Sequence, residues 1–74
     1  MIMIFTAKDC PYCEKTKKFF SDRKVNFIEK EVTENPEAMK QLIDLGRFGT
    51  PLIIVDGKEV VGFDEERLEE LLND

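Results

Sequence analysis

The spacing of apolar residues along the first third of the chain predicts a strand followed by a helix. Residues 2–6 form a short run of strand-forming residues bounded by polar ones, which indicates a buried strand. Pro11 suits the first turn of a helix, because its missing N–H costs nothing there. The helix is expected to run to about Lys24, since four residues recur at helical spacing on its inner side: Cys13, Thr16, Phe19 and Phe20.

The middle of the chain predicts a second strand and a second helix. Residues 25–32 indicate a strand, although three charged residues at 29–31 interrupt its alternation. Asn35 followed by Pro36 is typical of a helix N-terminus, and Gly46 is a natural C-terminal cap. The inner side of this helix is expected to carry four apolar residues: Met39, Leu42, Ile43 and Leu45.

The last third of the chain predicts a hairpin and a third helix. Pro51 opens an apolar strand over residues 52–55. The Asp-Gly dipeptide at 56–57 favours a tight turn into an antiparallel strand over residues 58–61. Asp64 can cap the last helix, whose inward positions are all leucines: Leu68, Leu71 and Leu72.

The predicted elements follow the order β-α-β-α-β-β-α. The first β-α-β unit implies a parallel pair of strands with a right-handed crossover, and the hairpin adds antiparallel neighbours. We therefore expect an α/β fold with a four-stranded mixed sheet flanked by three helices. No linker-like segment divides the sequence, so residues 1–74 are expected to form one domain.

Composition and charge narrow the classes of function. The chain has 74 residues, 42% of them hydrophobic, and its net charge of −5 argues against a nucleic-acid partner. The apolar run that opens the chain is too short for a signal peptide or a membrane span, so we expect a soluble intracellular protein. Residues 8–24 nevertheless carry six basic and three acidic side chains. This stretch is either a solvated helix face or a surface that attracts an anionic small molecule.

All of the cysteine in the chain lies in one motif, Cys10-Pro11-Tyr12-Cys13. A zinc site needs four ligands, and the chain has no other cysteine and no histidine. A purely structural disulfide is disfavoured as well, because so short a loop removes little entropy from the unfolded chain. A Cys-x-x-Cys pair beside a β-α-β pattern is instead typical of redox proteins.

The predicted start of the first helix gives the two sulfur atoms different roles. Free backbone N–H groups at a helix N-terminus favour the thiolate of Cys10, and Lys8 nearby acts in the same direction. Cys13 lies one turn further along the same side, close enough for a disulfide and more covered. We therefore expect Cys10 to attack a substrate disulfide and Cys13 to resolve the intermediate.

Three motifs resemble those of the dithiol glutaredoxins, in the same order and over essentially the whole chain. They are Cys10-Pro11-Tyr12-Cys13 after the first strand, Thr50-Pro51 at the third strand, and Gly62-Phe63-Asp64 before the last helix. The resemblance implies a thioredoxin fold and a glutathione-linked thiol–disulfide oxidoreductase that reduces protein disulfides and glutathionylated proteins. We accordingly expect a cytoplasmic monomer with glutathione as co-substrate and no bound cofactor or metal.

The same resemblance implies which residues contact the substrate. Thr50-Pro51 is expected to be a cis peptide that leaves the backbone of Thr50 free to pair with a substrate peptide. Gly62, Phe63 and Asp64 are expected to hold the γ-glutamyl end of glutathione at the N-terminus of the last helix.

Three further side chains are candidates for contact with glutathione: Lys8, Tyr12 and Arg47. Glutaredoxins often carry a basic residue three positions before the first cysteine, where this chain has Ala7 followed by Lys8. Arg47 can meet a glutathione carboxylate or remain a solvated loop residue, and Tyr12 can pack over the tripeptide or remain exposed. Among the phenylalanines, four are best explained as core and only Phe48 and Phe63 are placed to frame the site; the four are Phe5, Phe19, Phe20 and Phe27.

Two alternatives stay open at this point. The Gly62-Phe63 step also resembles the glutaredoxin-like redoxins that feed electrons to ribonucleotide reductase and are recharged by thioredoxin reductase. The other alternative is a binding module in which Cys10 of two chains and two glutathiones hold an iron–sulfur cluster. Some glutaredoxins act in this way, mostly those with a single active cysteine.

Overall fold

The computed structural model describes residues 1–73 of the chain and contains seven elements in the predicted order. The last residue of the predicted domain lies outside the described residues. The elements are β1 (Ile2–Thr6), α1 (Pro11–Asp22), β2 (Ile28–Glu31), α2 (Pro36–Asp44), β3 (Leu52–Val55), β4 (Lys58–Val61) and α3 (Glu65–Leu72). Within this described part of the chain, no helix combines the length and the apolar character needed to cross a membrane.

The four strands form one mixed sheet in the order β2-β1-β3-β4, which confirms the predicted architecture. β1 runs parallel to β2, with Phe5 opposite Lys30, and antiparallel to β3, with Phe5 opposite Leu52. β3 and β4 form the predicted antiparallel hairpin. The end of β1 therefore lies beside the start of β3, and the loop before α1 meets the loop before β3.

Side chains that alternate along the strands form two cores, one on each face of the sheet. α1 and α3 supply the first core, which contains Ile2, Ile4, Phe19, Phe20, Ile53, Val55, Val60, Leu68 and Leu71. α2 supplies the second, which contains Phe5, Val32, Ala38, Leu42 and Leu52. Phe27 and Leu72 are partly buried against the first core. The four phenylalanines predicted for the core are thus confirmed there.

The predicted caps place the ends of the helices and of the hairpin. Cys10, Asn35 and Asp64 are the N-caps of α1, α2 and α3, each with extended backbone and a side chain that accepts a first-turn N–H. Asp56 and Gly57 have positive φ angles of 48° and 86°, as a tight hairpin turn with two left-handed residues requires. These caps fix where α1 and α3 begin, and so position Cys10 and Asp64.

The end of α1 and the start of β2 differ from the prediction. α1 ends at Asp22 rather than near Lys24, because Lys24 adopts a φ of 56° and the chain turns there. β2 begins at Ile28 rather than at residue 25. The amide of Val25 instead donates to the carbonyl of Phe20 at 3.0 Å, which satisfies one of the last carbonyls of α1.

The prediction of which residues form the inner face of α2 is wrong at three of the four positions. Ala38 and Leu42 are buried, whereas the other predicted residues are 38%, 48% and 42% exposed: Met39, Ile43 and Leu45. Ala38 and Leu42 lie four residues apart on one side of the helix, and the short side chain of Ala38 lets the helix approach the sheet closely. Gly46 follows the C-cap Leu45 with a φ of 77°, as its predicted capping role requires.

Candidate active site

The cysteine pair lies at the N-terminus of α1, as predicted. Cys10 is the N-cap, and its Sγ accepts the backbone N–H of Cys13 at 3.2 Å. Its carbonyl accepts the amides of Cys13 and Glu14 at 3.1 and 3.2 Å. The two cysteines form a disulfide with a Cα–Cα distance of 5.2 Å, within the usual range. The sulfur of Cys10 therefore lies where the partial positive charge of the helix is concentrated.

The two sulfur-bearing residues differ in their access to solvent. Cys13 lies in the first turn of α1 and is completely buried, whereas Cys10 is partly exposed. A surface depression of about 480 Å³ opens beside Cys10 and is lined by Asp9, Cys10, Pro11 and Glu14. Tyr12, predicted to pack over a substrate or to be an exposed loop residue, is 58% exposed with the ammonium of Lys15 5.1 Å from its ring centre. A substrate can reach Cys10 but not Cys13.

The loop before β3 brings Thr50 against the sulfur of Cys10. The Thr50-Pro51 peptide bond is cis, which confirms the predicted isomer. The hydroxyl of Thr50 lies 3.7 Å from Cys10 Sγ, and its carbonyl oxygen lies 3.8 Å from the same atom. The carbonyl of buried Pro51 accepts the N–H of Gly62 at 2.9 Å. One hydrogen bond thus ties the Gly62 segment to the loop that contacts the cysteines.

The segment before α3 is only partly free to bind a ligand. Oδ1 of Asp64 accepts the N–H of Arg67 at 3.1 Å, which leaves its other carboxylate oxygen available. Phe63 is half-buried and packs edge-on against Phe19, with 5.9 Å between ring centres. Phe63 is therefore anchored to the core. Phe48, the other phenylalanine predicted to frame the site, is 83% exposed on the loop before the cis-proline.

The two basic residues predicted to meet glutathione are both held in ion pairs. Lys8 pairs with Glu34, and its backbone N–H donates to Thr33 Oγ1 at 3.1 Å. Arg47 pairs with Glu59 through a 3.0 Å contact to its Nε. Both pairs are solvent-exposed, so each adds little stability and can open at small cost. The structure places neither side chain against Cys10.

Hydrogen bonds shift the pKa values of two charged side chains, Glu31 and Lys17. Glu31 accepts the backbone N–H of Glu34 at 2.8 Å, and this bond holds the pKa of the Glu31 carboxyl below its usual value. On α1, hydrogen bonds from Lys17 to Glu14 and then to Glu29 raise the pKa of the Lys17 ammonium. Glu14 therefore lines the depression beside Cys10 with its charge partly balanced by Lys17.

Two polar features of the site escape prediction from the sequence. Asp9 lines the depression with a φ of 55°, a left-handed conformation that aspartate tolerates better than most residues. The second feature is the hydroxyl of Thr50, which contacts the Cys10 sulfur across 40 residues of sequence. Because this contact joins two residues that are far apart in the sequence, no local motif indicates it.

Comparison with known proteins agrees with this geometry. The family model for glutaredoxin matches residues 2–60 of the chain. A glutaredoxin-like protein from the rubredoxin operon of Clostridium pasteurianum is 29% identical over 73 residues, which cover 97% of each chain. The crystal structure of a thioredoxin-like protein superposes with a TM-score of 0.90 at 33% identity, covering 96% of this chain and 99% of that one. The glutaredoxin-like NrdH-redoxin of Escherichia coli gives a TM-score of 0.84 at 30% identity, covering 95% and 92%. The predicted thioredoxin-like fold is confirmed.

Proposed function

We propose a mechanism and substrates for this chain, which belongs to the glutaredoxin family and is a thiol–disulfide oxidoreductase with a redox-active Cys-x-x-Cys pair. Cys10 is the attacking nucleophile and Cys13 is the resolving thiol. The substrates are protein disulfides and cysteines that carry glutathione. The roles of the two cysteines rest on one observation: Cys10 Sγ is accessible and accepts a helix-terminal N–H, whereas Cys13 is buried.

The position of Cys10 supplies the activation that the reaction needs. The thiolate, and not the thiol, attacks a disulfide, so a group that stabilises the thiolate at neutral pH speeds the reaction. The N–H of Cys13 and the N-terminal end of α1 stabilise a negative charge on Cys10 Sγ. No general base is required, because proton loss from Cys10 precedes the attack.

The dithiol route proceeds through two exchanges. Cys10 thiolate attacks one sulfur of the substrate disulfide, forms a mixed disulfide and releases the other substrate sulfur as a thiolate. Cys13 thiolate then attacks the Cys10 sulfur, closes the Cys10–Cys13 disulfide and releases the second substrate thiolate. Two electrons pass to the substrate. In the monothiol route the glutathionyl group moves to Cys10, and a second glutathione removes it as glutathione disulfide.

Glutathione is the proposed reductant, as a co-substrate and not as a bound cofactor. The N-terminal N–H groups of α3 and the free oxygen of Asp64 suit the carboxylate and the amine of its γ-glutamyl end. This segment is tied to Pro51 through Gly62, and the backbone of Thr50 lies beside Cys10, so both binding elements are connected to the loop that contacts Cys10. Lys8 and Arg47 can add contacts when their exposed ion pairs open.

Thioredoxin reductase is the second candidate reductant, and a specific observation favours it. Lys8 and Arg47, the two basic residues proposed for glutathione carboxylates, are held by Glu34 and Glu59. NrdH-redoxin of Escherichia coli, which is similar over 95% of this chain, has a thioredoxin-like activity profile. An enzyme partner would dock on the surface around Cys10 and would need neither basic side chain.

Recharging of the oxidised protein separates the two candidates. We expect glutathione with glutathione reductase and NADPH to convert the Cys10–Cys13 disulfide to the dithiol, as followed by NADPH consumption and thiol titration. Thioredoxin reductase with NADPH is the parallel arm, and each reductase without the chain is the blank. Reduction by thioredoxin reductase alone would transfer the assignment to the second candidate. Failure of both systems would contradict a reversible redox role for the pair.

A further inference from the structure

The side chain of Thr50 has a polar contact with Cys10 that the proposed mechanism does not use. Thr50 is the residue before the cis-proline, where its backbone alone is expected to serve the substrate. Its hydroxyl nevertheless lies 3.7 Å from Cys10 Sγ, within the range of a hydrogen bond to sulfur, and Thr50 is partly buried. Among residues 1–73, this is the hydrogen bond that the Thr50 hydroxyl donates.

We propose that the hydroxyl of Thr50 is a catalytic donor that stabilises the thiolate of Cys10. The inference rests on the proposed role of Cys10 as the nucleophile. In the reduced protein the Sγ of Cys10 would receive two donors from different parts of the chain: the N–H of Cys13 and the O–H of Thr50. A hydrogen bond made to the charged form of a group lowers its pKa, so Thr50 keeps Cys10 ionised at a lower pH.

The same bond affects the attack by Cys10 and its release in the monothiol route. A more stable thiolate raises the fraction of Cys10 that can attack at neutral pH, and it makes Cys10 a better leaving group when the second glutathione attacks the glutathionyl sulfur bound to it. It also stabilises the dithiol form relative to the disulfide, which has no charge on sulfur. Thr50 therefore makes the pair more oxidising than the same site with valine at this position.

We expect a change at Thr50 to leave the charged groups near Cys10 in place. Asp9 and Glu14 line the depression beside the sulfur, and Asp64 caps α3 on the neighbouring segment. Lys8 and Arg47 are held by their own glutamates. A difference in the Cys10 pKa between Thr50 variants therefore reports the effect of the hydroxyl and not of the surrounding charges.

Thr50→Val tests the proposal, because valine keeps the β-branched shape and removes only the donor. The measurement is the pH dependence of iodoacetamide alkylation of the fully reduced protein, with the site of labelling located by mass spectrometry. We expect the pKa of Cys10 to rise by roughly half to one unit, which slows alkylation about three- to tenfold below the pKa. The limiting rate at high pH should change little. The equilibrium with glutathione should shift toward the protein disulfide.

Thr50→Ser is the matched control, since it keeps the hydroxyl and loses a methyl group. We expect its Cys10 pKa to stay close to that of the wild type. An unchanged pKa in Thr50→Val, or equal shifts in both variants, would overturn the role of the hydroxyl while Cys10 remained the labelled residue. Labelling of Cys13 in the wild type would instead overturn the proposed function.

Discussion

We expect that replacement of Cys10 by serine abolishes turnover with every disulfide substrate, whereas Cys13→Ser keeps much of the turnover with a glutathione mixed disulfide. Cys10 is the accessible sulfur and, in the proposed mechanism, forms the covalent intermediate, so we expect a loss on the order of 10³-fold or more without it. A serine hydroxyl at the helix N-terminus stays protonated at neutral pH and does not attack a disulfide. The fold is retained, because serine is itself a good N-cap.

Cys13→Ser separates the two routes. It removes the resolving thiol, so the dithiol reduction of a protein disulfide stops at the mixed disulfide. The monothiol route needs only Cys10 and a second glutathione, and it continues. The measurement is the coupled rate of NADPH consumption with glutathione reductase, once with a glutathione mixed disulfide and once with a protein disulfide. An inactive Cys13→Ser enzyme would exclude the monothiol route, and an active Cys10→Ser enzyme would reverse the assigned roles.

The second large effect is on stability. Phe20 is fully buried between α1 and the sheet, in contact with the rings of Phe19 and Phe27 at centroid distances of 5.3 and 6.0 Å. Phe20→Ala removes this ring from the larger of the two cores, which costs about 3–5 kcal/mol of unfolding free energy. A small domain has a total stability of roughly 5–15 kcal/mol at most, so we expect a large part of it to be lost.

Urea unfolding of the reduced protein, followed by circular dichroism, measures this loss. Reducing conditions remove the contribution of the disulfide in every variant. Phe48→Ala is the matched control, because Phe48 is 83% exposed and its truncation should change stability by less than about 0.5 kcal/mol. Equal midpoints for the two variants would contradict the assignment of Phe20 to the core.

The order of elements follows from the sequence because strong local features mark most of the boundaries. N-cap residues, two prolines at helix starts and the Asp-Gly turn each restrict the backbone of a few residues, whatever surrounds them. The inner face of α2 depends on tertiary packing instead. Its apolar residues cover more than one side of a nine-residue helix, and only contact with the sheet selects Ala38 and Leu42.

The candidate active site likewise has some features that the sequence predicts and others that depend on tertiary contacts. Cys10 and Cys13 lie in one short motif, so the helix start alone predicts which sulfur is accessible. The surroundings of Lys8 and Arg47 could not be predicted, since their partners Glu34 and Glu59 lie 26 and 12 positions away in the sequence. The contact between Thr50 and Cys10, which lie 40 positions apart, likewise depends on the pairing of β1 with β3. Long-range pairing of this kind leaves no local pattern.

Competition between the two thiols for a limiting alkylating agent tests the central claim most directly. The fully reduced protein is treated at pH 7 with less than one equivalent of iodoacetamide, digested and analysed by mass spectrometry. Our account predicts that the label lies on Cys10 and that Cys13, which is completely buried, stays unmodified. Labelling of Cys13 to an equal or greater extent would contradict the assignment of Cys10 as the nucleophile.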